Sequence, residues 1–258
     1  MKASFKDNER NGCSAHGQHN SIQKGLGCCD ELETMLEKYR KLAFKHDKSN
    51  VFRRSLAHEQ KVLDIKVRPL LQDCPTRWGS TKTLLVSILD HPKDKSDGLN
   101  FKNREAINKA LKVAIKKKDD WKKLALSVEE MIKIRNICTF LTSFDIFTTT
   151  LGGNKFVTSS IVLPVIKSIQ AHLKVTSEDP HYIKVMKGVI LEDYKTRVRD
   201  DLNHKSLVIA TALDPRFKKL KVLENKDKRE DIFKVIELEM KDLQINKLLE
   251  VKDVADLE

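Results

Sequence analysis

Apolar residues recur every three to four positions through most of this chain, and that spacing constrains its fold more than any other feature. Ile183, Met186, Ile190 and Tyr194 form one stripe, and Leu32, Met35, Leu36, Tyr39 and Ala43 form another. An α-helix advances 3.6 residues per turn, so residues spaced this way share a face that must be buried against a partner. Nine Gly and six Pro among 258 residues are too few to punctuate a chain of short strands. The expected fold class is therefore mainly α.

Start and stop signals divide the stripes into helices. Asp30 is placed to cap the stripe from Leu32, and Ser49 to cap one with Val51, Phe52, Leu56 and Leu63. Ile65 to Leu71 contains Pro69 and reads as a connector or an edge strand. Pro75 holds Cys74 in an extended conformation within Asp73-Cys-Pro-Thr-Arg-Trp-Gly-Ser80. Thr76 or Asp73 then caps a helix with Trp78, Leu84, Leu85, Ile88 and Leu89 on one side, and His91-Pro92 stops it.

Further along, Ile107, Ala110, Leu111 and Ala114 make a short helical face. Ser127 and Glu130 form a capping box for a helix through Met131, Ile134, Ile137, Cys138 and Leu141 toward Phe144. Leu151-Gly-Gly-Asn154 ends it. Thr158 or Ser159 opens a run through Ile161, Val165, Ile169 and Leu173, with Pro164 early enough to be tolerated. Leu207 to Leu213 fits a helix by its length, and Asp214-Pro215 stops it. The last helix carries Ile232, Phe233, Ile236, Met240 and Leu243. At the other end, Cys13 to Leu26 is expected to begin as a short strand and turn helical before Gly25 and Gly27 break the run.

Charge narrows the choice of partner. There are 49 Lys and Arg against 37 Asp and Glu, a net charge of +12, and an excess of this size suits a polyanion. The five cysteines form no even framework and read as reduced intracellular thiols. No stretch reaches the ~18 consecutive apolar residues of a membrane span, so no membrane partner is expected. Met1 to Arg10 has no apolar core and includes Asp7 and Glu9, unlike a secretory or mitochondrial leader. There is no phosphate-binding glycine loop, no Gly-x-Ser-x-Gly elbow and no His-Glu-x-x-His. The chain is accordingly not expected to be an enzyme, and no catalytic residue is assigned.

Two aromatic stations accompany this charge. Arg77 and Trp78 put a guanidinium and an indole together at a helix start, which suits an unpaired base or, equally, a core anchor beside a surface ion pair. Trp121 lies among Lys109, Lys112, Lys116, Lys117, Lys118, Lys122 and Lys123, diluted by Asp119 and Asp120. That run could hold a nucleic-acid backbone, or it could be a solvated helix face with Trp121 packed inward. Cys13, His16 and His19 could supply two or three metal ligands. A structural zinc needs four, and Cys28-Cys29 are adjacent rather than spaced, so no metal or other cofactor is expected.

Pro75-Thr-Arg-Trp-Gly-Ser-Thr81 resembles the Thr-Arg-Trp-Asn-Ser-Thr signature of hAT-superfamily transposases, most closely that of their domesticated relatives, the BED zinc-finger proteins. Cys13-Ser-Ala-His16, Leu126-Ser-Val-Glu-Glu130, Ile161-Val-Leu-Pro-Val-Ile166 and Leu213-Asp-Pro-Arg-Phe-Lys218 resemble other segments of that family in the same order. The resemblance implies the helical insertion region of a ribonuclease-H-like fold, with a short strand remnant of the core near the N-terminus. The implied organisation is a core remnant over 1–26, the helical region over 27–246 and a tail over 247–258.

It also implies that the two-metal carboxylate site of such transposases is incomplete here. The first two aspartates fall upstream of Met1, and the glutamate falls beyond the Leu-Asp-Pro-Arg-Phe-Lys match. What carries over is non-catalytic: His16, Arg77 and Trp78 match positions that lie near bent or flipped DNA in the family. The expectation is a catalytically inactive, nuclear, DNA-associated protein derived from a hAT transposase. Its nucleic-acid-binding residues would be His16, Arg77, Trp78, Lys116, Lys117, Lys118 and Trp121. The competing expectation is a helical protein-interaction scaffold with no nucleic-acid binding. An exposed apolar surface lined by 13–26 and 207–213, promoting self-association, is expected in either case.

Overall fold

Where they fall among the described residues, the apolar stripes form helices in the structure, a computed structural model that describes residues 14–74, 76–89, 101–115, 120–152, 159–198, 204–217, 219, 227, 229–238 and 240–241; Leu243 lies outside them. The helices are α1 (Ser14–Leu26), α2 (Asp30–Lys48), α3 (Asn50–Val62), α4 (Trp78–Ile88), α5 (Lys102–Ala114), α6 (Val128–Leu151), α7 (Ser159–His172), α8 (His181–Arg197) and α9 (Lys205–Leu213). A 3-10 turn spans Asp120–Lys123, and residues 229–238 form a further helix, α10. No strand occurs among the described residues. The expected mainly α class holds at that level.

The chain divides into two compact units. The larger comprises Ala15–Thr148 and Leu173–Tyr194; the smaller comprises Thr149–His172 and the described residues from Lys195 onward.

In the larger unit, α1 departs from the expectation of an initial strand. Residues 14–26 are helical throughout, with Gly25 inside the helix rather than breaking it. A Cβ at Gly25 would stand 2.3 Å from Cγ1 and 2.6 Å from Cδ1 of Ile190, so the missing side chain is what lets α1 approach α8 there. Ser21 Oγ donates to Asp193 Oδ2 at 2.8 Å and Lys24 Nζ to Asp193 Oδ1 at 3.1 Å, which fixes the same contact from its polar edge. Cys13 lies outside the described residues.

Local signals set most of the remaining boundaries. Ser49 Oγ accepts the Phe52 N–H at 3.2 Å and starts α3 as expected. The Ser127–Glu130 box closes in both directions, at 3.1 and 2.8 Å, ahead of α6. Asp30 is not the cap of α2: Cys29 holds that place and Asp30 begins the helix, favourably placed at its positive end. Just past the Leu63 C-cap of α3, Asp64 has a φ of 51°, in the left-handed region that short polar residues tolerate. The connector that follows is extended but belongs to no sheet, and Ile65 and Leu70 are buried in it.

Asn103 and Gln60 knit the centre of this unit. Gln60 Nε2 donates to Asn103 Oδ1 at 2.9 Å, and Asn103 Nδ2 donates to the Ile88 carbonyl at 2.8 Å. Both residues are fully buried, so their polar groups must be satisfied internally, and these bonds tie α3, α5 and the end of α4 together.

In the smaller unit α7 packs on α9, and Ala212 and Ile236 form a core with Ile209 and Ile232 against it. Ser160 Oγ donates to Asp214 Oδ2 at 2.7 Å, and Arg216 Nη2 reaches the same oxygen at 2.6 Å. The Arg216 guanidinium, then the Ser160 hydroxyl, hold the Asp214 carboxyl well below the usual carboxylate range. The Asp-Pro-Arg stretch thus ends α9 with an ion-paired turn tied to α7. Residues 207–213 are helical, with Leu207 and Val208 buried and Leu213 exposed. No described helix is long and apolar enough to cross a membrane.

Candidate nucleic-acid interface

Asp73 to Ser80 is an extended entry that turns sharply into α4, and its side chains divide into anchors and exposed groups. Asp73 is the deepest anchor, with a side chain 3% exposed. Its carboxylate accepts Arg40 Nε from α2 at 3.1 Å and Thr81 Oγ1 from α4 at 3.0 Å. The expected capping role therefore does not hold: Asp73 clamps the loop to two helices. Arg77 occupies the N-cap position, and no side chain makes a capping bond there. The turn is closed instead by the Arg77 N–H on the Cys74 carbonyl at 2.8 Å, and by Ser80 Oγ, which accepts the Cys74 N–H at 2.8 Å.

Trp78 is 4% exposed. An indole so enclosed offers no face to a base, so of its two expected roles the core anchor is the one the fold adopts. The reason lies in helical phase: Trp78 shares a face with Thr81, Leu85 and Ile88, all buried. Arg77, one residue earlier, falls outside that face and is exposed, with no ion pair among the described residues.

The structure brings α1 to this loop. His19 Nε2 donates to the Thr76 carbonyl across 57 residues of sequence, at 2.8 Å. His16 is exposed one turn earlier, its ring parallel to that of His19 within 6° and 6.2 Å away between centroids. His16, His19, Thr76 and Arg77 therefore share one region of surface. Cys74 is exposed there too, and the hydroxyl of Thr76, 3.1 Å from its Sγ, then the Thr76 backbone and Arg77, lower its thiol pKa. Flat imidazoles beside a guanidinium can stack a base and donate to a phosphate. Position His19 carries the connection between the segments. Its spacing of three from His16 on one helix, which puts both on one face, was the available sequence signal.

The second station is less open than its composition suggests. Trp121 is half-buried in the 3-10 turn, and Lys112 Nζ from α5 sits 4.7 Å from its ring centroid. That cation–π contact occupies one face of the indole. Lys116, Lys117 and Lys118 lie outside the described residues. The structure does not bring Trp121 into any described contact with His16 or Arg77.

Beside this turn, a groove of about 710 Å³ runs between α2 and α6, with Met35 and Leu124 among its lining. Its charged residues close on one another: Lys38 Nζ binds Glu130 Oε1 at 2.7 Å, and Lys133 pairs with Glu31. Among the described residues, no three His, Cys, Asp or Glu side chains gather as a metal site would require.

The molecule is thus a basic chain, mainly helical and without strands among its described residues, with an exposed guanidinium and paired imidazoles at a fixed turn. Over 209 residues it is 21% identical to human zinc finger BED domain-containing protein 4, a match covering 80% of this chain. The chain spans 16% of the length of that relative. No protein-family model matches.

Proposed function

We propose that this chain is a nuclear, DNA-associated protein of the hAT-transposase-derived, BED-finger-protein type that performs no catalysis of its own. In this reading the helical region is the insertion region of a ribonuclease-H-like fold. The observation that carries the reading is the His19–Thr76 bond, which gathers His16 and Arg77 from separate segments onto one surface. The net charge of +12 and the similarity to a BED zinc-finger protein support it. His16, His19 and Arg77 contact the DNA, Trp78 holds the turn that presents them, and Lys116, Lys117, Lys118 and Trp121 add a second backbone contact. Unpaired or distorted DNA is the preferred form, because stacking on His16 requires an accessible base face.

The test is a salt titration of binding to a duplex and to the same duplex with an internal unpaired loop. The expected result is an affinity that falls steeply with salt, with a preference for the loop. Arg77→Ala should lower the slope of log K against log salt by about one. His16→Ala should reduce the loop preference by roughly fivefold or more, the low end of one lost stacking contact. Absence of binding at low salt would favour the interaction scaffold, for which the α2–α6 groove offers a docking face. Binding unchanged in both variants would remove the site assignment.

A further inference from the structure

Helical phase splits α3 into two faces. The helix buries Phe52, Leu56 and Gln60 and packs on α5 and α2. Arg54, His58 and Lys61, spaced four and three residues apart, fall within about 60° of one another on the opposite side. All three are exposed. At 1.5 Å per residue the row runs along about 10 Å of the helix axis.

No carboxylate of α3 answers this row. Its one acidic residue, Glu59, lies on the flank and meets Lys109 of α5 at 4.0 Å. Among the described residues, Arg54, His58 and Lys61 make no ion pair and no side-chain hydrogen bond, and Asp64 beyond the C-cap is not bonded to Lys61. Several exposed lysines of the same unit are tied instead: Lys24 to Asp193, Lys41 to Glu37, and Lys123 to Asp120. Nor does the row help the helix form. The first turn of α3 has no acidic residue, and Arg53 and Arg54 follow directly on it, toward the end where the macrodipole favours anions. Neither Arg54 nor Lys61 has an acidic residue three or four positions away within the helix. The positive potential of this face is therefore left for an external partner.

We propose that the outer face of α3 docks on the phosphate backbone of DNA, with Arg54, His58 and Lys61 making the contacts. A row of cations about 10 Å long suits a polyanion with closely spaced charges, and a DNA duplex carries one per about 1.7 Å of its axis. A lipid surface fits less well: Val51 and Val62 flank the row, and it lacks the bulky apolar stripe of a membrane-surface helix. The inference rests on the DNA reading above. It adds a sequence-independent contact on an element that carries neither His16 nor Arg77.

The experiment is a salt titration of the full chain on the plain and the looped duplex, with the double variant Arg54→Gln, Lys61→Gln. The control is Lys41→Gln, Lys234→Gln, which removes the same charge from exposed lysines already paired with Glu37 and Asp231. The α3 variant should lower the slope of log K against log salt by about two. It should weaken both DNAs by the same factor, roughly tenfold or more at low salt, because a backbone contact carries no base information. Adding His58→Gln should weaken both further. The melting temperature should hold or rise slightly, since the exchange removes cations that help no local contact. The control should keep the slope of the parent. An α3 variant with the parent's slope would overturn this face alone and leave the DNA reading standing. A control that loses as much would overturn it too, by showing that net charge acts without a defined surface. Loss of binding to phosphatidylserine vesicles, with DNA binding intact, would assign the face to a lipid surface instead. A parent that binds no DNA at low salt would overturn the DNA reading and this face with it.

Discussion

Trp78→Ala and Arg77→Ala form a pair whose contrast tests the division of labour in the Asp73–Ser80 turn. Trp78 is 4% exposed. An indole buries about 150–250 Å², which at about 25 cal/mol per Å² corresponds to roughly 4–6 kcal/mol. Truncation to Ala keeps the Cβ and lets the site relax in part, so the expected loss is about 3–5 kcal/mol. In a unit of this size, that loss lowers the melting temperature by roughly 6–20 °C. Arg77 is exposed and forms no ion pair among the described residues, so Arg77→Ala should stay within about 0.5 kcal/mol of the parent. The assay is urea unfolding followed by far-UV circular dichroism and Trp fluorescence, with DNA binding measured on whatever remains folded. A Trp78→Ala protein that melts like the parent while losing DNA binding would refute the core-anchor assignment. So would an Arg77→Ala protein destabilised as much as Trp78→Ala.

Three further perturbations probe the frame around that turn. Gly25→Ala places a Cβ 2.3 Å from Ile190 Cγ1, and overpacking of about 1–3 kcal/mol should exceed the ~1 kcal/mol gained in helix propensity. Net destabilisation relieved by Ile190→Ala in a double-mutant cycle is expected, and simple stabilisation would contradict the close approach. Asp73→Ala should cost about 1–3 kcal/mol, because it leaves Arg40 and Thr81 without their shared acceptor; thermal unfolding with Arg40→Ala as the coupled partner measures it. Stability measured by urea should fall as pH drops below about 6.5. The unfolded chain then takes up a proton that His46, buried and close to the Arg53 charge with Asp47 opposing, resists, and His46→Gln should flatten that slope.

What could be read in the sequence was what is local. The stripe Ile183, Met186, Ile190 and Tyr194 is buried at all four positions, and the Ser127–Glu130 box and the Ser49 cap form as their spacing demands. What could not be read depends on partners distant in sequence. Gly25 carries the same local signal whether it breaks a helix or makes room for a neighbour, and only Ile190 decides between them. Asp73 sits where a cap belongs, yet Arg40, 33 residues away, takes it instead. His19 gives no sign of Thr76 until α1 is placed against the turn.

The same distinction limits what a motif match can say about function. In Asp73–Ser80 the matched residues Trp78 and Ser80, with Asp73 just ahead of the match, are spent internally: Asp73 clamps two helices, Trp78 fills the core and Ser80 closes the turn. Side chains consumed in this way preserve a fold whether or not the surface they build is used. The match in this stretch is therefore evidence about architecture first. The weight of any proposed DNA role falls on the exposed groups, Arg77 and His16, which cost the fold little to change. The turn fixes the backbone that carries Arg77, while its exposed side chain keeps rotamer freedom that any contact would have to restrict. The turn's own anchors thus set the geometry, and a binding defect in Arg77→Ala with unchanged stability would show that the geometry is used.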